Sequence, residues 1–154
     1  MSNDSIQSLQ TLLSHAERER DAARTAMRQT EEADARCRAQ DEQLQQYRGE
    51  YLQRWSTQFS QSGTTSLLQC YHGFSQRLDQ AIEQQQRQCA SSAQRVAQAK
   101  LLVQAREQRV AAVRKLMERR LQALQRQADR LDQKQTDEAA QRAAWAARAE
   151  AEHS

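Results

Sequence analysis

Three histidines, three cysteines and a few adjacent carboxylates are the residues of this chain that could do chemistry. A metal centre or a nucleophile–base pair needs such groups to converge within a turn or two of helix. His15, His72 and His153 are too scattered to share a turn. Cys70 and His72 are two positions apart, which sends their side chains to different helix faces. Cys37, Cys70 and Cys89 are an odd set without CxxC spacing and read as reduced thiols of a cytosolic protein. Glu31–Glu32 and Asp137–Glu138 lie among polar residues, where no environment shifts a carboxyl pKa, and read as charged surface. No GxxxxGK[ST], GxGxxG or GxSxG occurs. The expectation is a protein that is not an enzyme, with no metal, no cofactor and no small-molecule substrate.

Two other constellations suit binding. Arg106, Arg109, Arg114, Lys115, Arg119 and Arg120 form a basic run that could neutralise phosphates. It lies inside an apolar heptad pattern rather than ahead of one, as a basic DNA-gripping helix would require. An Arg-rich face opposite an acidic partner helix is the simpler reading, and nucleic acid is not expected as a partner. The second constellation is aromatic. Tyr47, Tyr51, Trp55 and Phe59 recur every four residues, followed by Tyr71, Phe74, Leu78, Ala81 and Ile82. These residues either rivet two helices together or face outwards as protein-binding anchors, since aromatics dominate binding hot spots. Both can hold at once.

The elements that must position these groups are helices. The chain has 154 residues, no Pro and three Gly, with 38% hydrophobic and 5% aromatic residues. Core-makers are too few for a compact globule of this length, whereas Ala, Gln, Arg, Glu and Leu are strong helix formers. Residues 1–60 carry 8 basic and 10 acidic side chains, and residues 87–130 carry 11 and 3, so the two parts attract if they lie side by side. No stretch approaches the roughly 20 apolar residues of a membrane helix. The N-terminus lacks the basic and apolar regions of a secretory signal.

The first arm is expected over about residues 5–59, with Asp4 or Ser5 as N-cap. Its stripe is Ile6, Leu9, Leu13, Ala16, Ala23, Met27, Thr30, Cys37, Leu44, Tyr47, Tyr51, Trp55 and Phe59, weak and Ala-rich in the middle. The bend is expected at about 60–66 in SQSGTT, where Gly63 can take positive φ. The second arm, about 67–150, carries Leu68, Ser75, Ile82, Cys89, Val96, Val103, Val110, Met117, Leu124, Leu131, Glu138 and Trp145 at a strict spacing of seven, the mark of a left-handed coiled-coil seam. The companion row of Tyr71, Leu78, Gln85, Ser92, Ala99, Arg106 and Val113 is less regular. A short connection favours an antiparallel pair. The fold class expected is therefore all-α, a long two-helix antiparallel coiled-coil hairpin forming a single elongated domain over 1–154. Folding back at Gly63 sets residue 6 near residue 120 and places Glu17, Glu31 and Glu32 near Arg109 and Arg95. About 25–30 C-terminal residues then project as helix beyond the hairpin, and a projecting helix needs a binding surface or frays.

At the bend the sequence resembles a known family. LQQYRGEYLQRW followed by SQSGTTSLLQCYHGFSQRLDQAIEQQ is similar to the central region of the flagellar FliJ protein family. The pattern is a YxxEY pair (Tyr47, Glu50, Tyr51), a Gly-containing break (Gly63), a YxxF step (Tyr71, Phe74) and an L-x-x-A-I-x-x-Q run (Leu78, Ala81, Ile82, Gln85). LDQKQTDEAAQRAA, residues 131–144, resembles the family's DQK-x-x-DE ending. Gly73 within the YxxF step and a second arm rich in Gln and Arg depart from it.

The resemblance implies a stalk-like coiled coil of the flagellar type III export apparatus, similar to the central stalk of rotary ATP synthases. Its implied partners are the hexameric export ATPase (FliI), whose ring assembly and activity it promotes; the cytoplasmic domain of the export gate protein FlhA; and export chaperones, which it escorts. The implied location is cytoplasmic, peripheral to the inner face of the cell membrane at the flagellar base. Carried over by motif position, the gate-binding face is Phe74, Leu78, Ala81 and Gln85, whose steps of four, three and four share one helix face. A slender rod can enter a ring's pore end-on, which makes Asp132, Lys134, Asp137 and Glu138 on the projecting helix the expected ring contacts. The stalk of a virulence type III secretion system, a nucleic-acid-binding coiled coil and an inert adaptor or spacer are the alternatives.

Overall fold

The computed structural model describes residues 2–61 and 63–153. Among these there are two α-helices and no strand: α1 spans Ser2–Gln61 and α2 spans Thr65–Glu152. Both arms are thus longer than the apolar stripes suggest, because Ser, Gln and Glu beyond the stripes still favour helix. Asp4 and Ser5, expected as caps, lie inside α1. Asp4 sits in the first turn, where its carboxylate complements the partial positive charge of the helix end.

The break closes differently from the expectation. Ser62 lies outside the described residues, and among the described ones no residue has positive φ, Gly63 included. The ordering comes from Thr64 instead. Its hydroxyl accepts the Leu67 N–H at 3.4 Å, and its carbonyl accepts the Leu68 N–H at 3.1 Å. Thr64 therefore serves as N-cap of α2, satisfying a donor that the first helical turn leaves without a partner.

The chain divides into two compact units, to each of which both helices contribute. In the unit formed by Glu19–Arg106, the helices run antiparallel. Arg106 Nη1 meets Glu19 Oε2 at 3.0 Å, the Cys37 and Cys89 sulfurs stand 2.8 Å apart, and Arg48 Nε lies 2.8 Å from Asp79 Oδ1. The Arg48 contact is an ion pair rather than a directed hydrogen bond, since Nε points off the acceptor. Ala23, Leu78, Ile82 and Val103 are buried here. The heptad row contributes Ile82 and Val103, and its irregular companion row contributes Leu78, so both rows face α1.

In the unit formed by Met1–Arg18 with Glu107–Ser154, the helices are again antiparallel. Ser5 and Ile6 share a groove with Arg120, Ala123, Leu124 and Gln127, and Arg114 Nη2 meets Glu17 Oε1 at 3.2 Å. Ala16, Val110 and Val113 are buried. The expected register of residue 6 near residue 120 agrees with this. Glu17, expected near Arg109, forms an ion pair with Arg114. From residue 125 to residue 153, every described side chain is exposed.

Candidate protein-binding site

The aromatic stretch forms one cluster within the Glu19–Arg106 unit. Tyr47, Tyr51, Trp55 and Phe59 are spaced one turn apart on α1, so their rings stack along it. The Tyr51–Trp55 and Trp55–Phe59 centroids are 5.8 and 5.3 Å apart. From α2, Tyr71 packs on Trp55 at 5.4 Å and on Phe59 at 5.5 Å, and Phe74 packs on Tyr51 at 4.4 Å. These separations are those of favourable offset and edge-to-face aromatic pairs. Burial among these rings pushes the Tyr51 phenol above its ordinary range. Most rings rivet the two helices, while Tyr47 remains 46% exposed at the cluster edge.

The four residues carried over as a gate-binding face are placed unequally. Phe74 is half-buried against Tyr51. Leu78 is buried between the helices. Gln85 is half-buried, and its amide reaches across to α1, with Nε2 3.0 Å from the Cys37 carbonyl oxygen and 3.2 Å from Gln40 Oε1. Of the four, Ala81 alone is exposed. The steps of four, three and four do put these residues on one broad side of α2. That side also carries the helix–helix seam, and the partner helix covers part of it.

On the projecting segment, Asp132, Lys134, Asp137 and Glu138 are all exposed. Two of them have local partners: Gln133 Nε2 donates to Asp137 Oδ1 at 3.1 Å, and Arg142 lies 3.8 Å from Glu138. Such pairs one turn apart support the helix by only a few tenths of a kcal/mol, about 0.3–0.5 each. They leave the charged heads at the surface. Leu131, 60% exposed, precedes these charges and Trp145, 75% exposed, follows them, and both continue the heptad row where α1 no longer covers it. An unpaired Trp and Leu on a helix with solvated charges suit a surface completed by another protein.

The sequence did not reveal two features of the Glu19–Arg106 unit. Asp34 is buried, a carboxylate on a face read as a gap in the apolar stripe; Arg38 holds its Oδ2 at 2.9 Å. The approach of Cys37 to Cys89 was equally hidden, although both residues stand in the apolar patterns of their arms. Pairing them requires the register between arms, which neither pattern contains. Among the described residues no group of three or more His, Cys, Asp or Glu could hold a metal, and no helix is long and apolar enough to cross a membrane.

Two antiparallel helices packed against each other, one continuing with an uncovered heptad row, define an all-α coiled-coil protein. The family described as Flagellar FliJ protein matches residues 5–149, and the chain belongs to that family. It is accordingly a coiled-coil protein of flagellar protein export, in a family of non-catalytic components. No curated protein matches the chain, and no solved structure does.

Proposed function

We propose that this protein is the stalk-like component that binds the flagellar export ATPase ring, promotes its assembly and activity, and couples it to the export gate, with a further part in escorting export chaperones. The observation that carries the reading is the uncovered stretch of α2 after residue 124 in a chain that belongs to this family. A solvated helix with Leu131 and Trp145 outward has its apolar side chains in water, and a partner surface is what would remove them from it. Asp132, Lys134, Asp137 and Glu138 lie between these anchors and would set orientation through charge, which steers encounter more than it adds affinity. The gate would engage the α2 side bearing Phe74, Leu78, Ala81 and Gln85. Ala81 and the accessible part of Phe74 provide direct contact there, while Leu78 and Gln85 hold that side in place against α1. The protein would act in the cytoplasm, at the membrane base of the flagellum.

The test is ATP hydrolysis by the flagellar export ATPase of the same organism, with and without this protein, with ring assembly followed in the same samples. Stimulation together with more hexamer is expected. An unchanged rate and unchanged assembly, with the protein fully helical by circular dichroism, would remove the coupling role.

A further inference from the structure

Cys37 on α1 and Cys89 on α2 are both free thiols, half-buried, with their sulfurs 2.8 Å apart. A covalent S–S bond is about 2.05 Å long, so the two sulfurs need to close by less than about 1 Å. The site around them is built on one side. The Gln85 Nε2 amide lies 3.3 Å from Cys37 Sγ and is also anchored to the Cys37 carbonyl oxygen. These two contacts hold the Cys37 side chain at the edge of α1 that faces Gln85. Cys37 also lines an open groove of about 420 Å³ with Ala33, Arg36, Gln40, Gln88, Ser91, Ser92 and Arg95. That groove offers two guanidiniums and several neutral polar groups beside a thiol. It fits a small, anionic, sulfur-containing molecule whose carboxylates the arginines can take.

We propose that Cys37 and Cys89 form a thiol pair that small anionic disulfides of the oxidised-glutathione class convert to an intramolecular disulfide between α1 and α2. The step balances as follows. Cys37 Sγ, as thiolate, attacks one sulfur of the disulfide seated in the groove. A Cys37–glutathione mixed disulfide forms, the glutathione S–S bond breaks, and the departing thiolate takes up the proton that Cys37 released. Cys89 Sγ then attacks Cys37 Sγ. The Cys37–Cys89 bond forms, the mixed disulfide breaks, and the Cys89 proton leaves with the second glutathione. The two protein sulfurs lose two electrons, and the reagent gains them as two thiols. The order of attack follows from the surroundings. Hydrogen bonding to Cys37, burial and the nearby Asp41 and Asp34 carboxylates push the Cys89 thiol up to about 11. Cys89 therefore keeps its proton at neutral pH and acts second, while Cys37 faces the groove. Cys70 is exposed and serves as an internal comparison.

The test uses the full chain incubated with oxidised glutathione, quenched with an alkylating agent and mapped by mass spectrometry. The expected product is a monomer with Cys37 and Cys89 joined and Cys70 alkylated, reversible by a dithiol reductant. In Cys89→Ser the reaction should stop at a mixed disulfide on Cys37, whereas Cys37→Ser should leave Cys89 alkylated. Charge reversal at the groove, Arg36→Glu with Arg95→Glu, should slow the reaction with oxidised glutathione by about tenfold and spare that with uncharged hydroxyethyl disulfide. Circular dichroism confirms that each variant is folded. Cys37 and Cys89 alkylated as fully as Cys70, or a product joined through Cys70, would overturn the pair. An equal rate for the two reagents, or no effect of the charge reversal, would overturn the groove as the binding element.

Discussion

Tyr51 and Phe74 meet with ring centroids 4.4 Å apart, the shortest of the aromatic contacts joining α1 to α2. Tyr51 also stacks on Tyr71 at 6.1 Å and meets Trp55 edge-on at 5.8 Å, so one phenol ring joins the aromatic row of each helix. Phe74→Ala removes a half-buried ring from this junction and should destabilise the fold by about 2 kcal/mol, less than a fully buried Phe would cost. Urea unfolding followed by circular dichroism measures this. Phe74→Leu should recover about half of the loss, which separates packing from any loss of partner binding.

Ala81 and Gln85 give opposite expectations although one turn of helix separates them. Ala81→Arg changes an exposed residue and should shift stability by no more than about 0.5 kcal/mol, while a large cation on the proposed gate face should weaken gate binding. Gln85→Ala removes the amide that bonds α1 and should cost about 1–2 kcal/mol. Thermal unfolding beside titration calorimetry against the gate domain distinguishes them. Full-affinity binding by a folded Ala81→Arg protein would show that the face is misassigned.

Gly73 lies inside α2, and a Cβ added there meets nothing within 4 Å. Gly73→Ala should therefore stabilise the protein by up to about 1 kcal/mol, since it gains helix propensity without a clash. Denaturant midpoints of the two proteins, compared at equal slope, read the gain.

Removal of residues 131–154 deletes only side chains that are exposed among those described. The remaining helix pair should keep its unfolding midpoint, and ellipticity should fall in proportion to the helix lost. Stimulation of the export ATPase should disappear. Persistence of stimulation in the truncated protein would place the ring contact elsewhere.

Oxidation of Cys37 and Cys89 would close a loop spanning 52 positions of sequence. Restricting the unfolded chain in this way corresponds to about 4 kcal/mol if the native geometry takes the bond without distortion. The oxidised protein should unfold at higher urea concentration than the reduced one, and a reductant should abolish the difference. The same treatment of Cys89→Ser should give no shift.

The sequence by itself determined the elements and their broad pairing. The heptad row from Ile82 through Val110 and the residues of SQSGTT sufficed for that, because helix periodicity and turn composition are local properties written along one chain. The family resemblance rested on the same local order of motifs. The tertiary structure decided everything that depends on register between the arms. It turned Leu78 and Gln85 towards α1 while leaving Ala81 exposed, buried Asp34 with Arg38 at its side, and brought Cys37 to Cys89. It also replaced the expected glycine turn with a Thr64 cap. Each of these is a relation between residues far apart in sequence or a choice among local conformations of similar energy. Periodicity states which face a residue occupies, and only packing against the other helix states what that face meets.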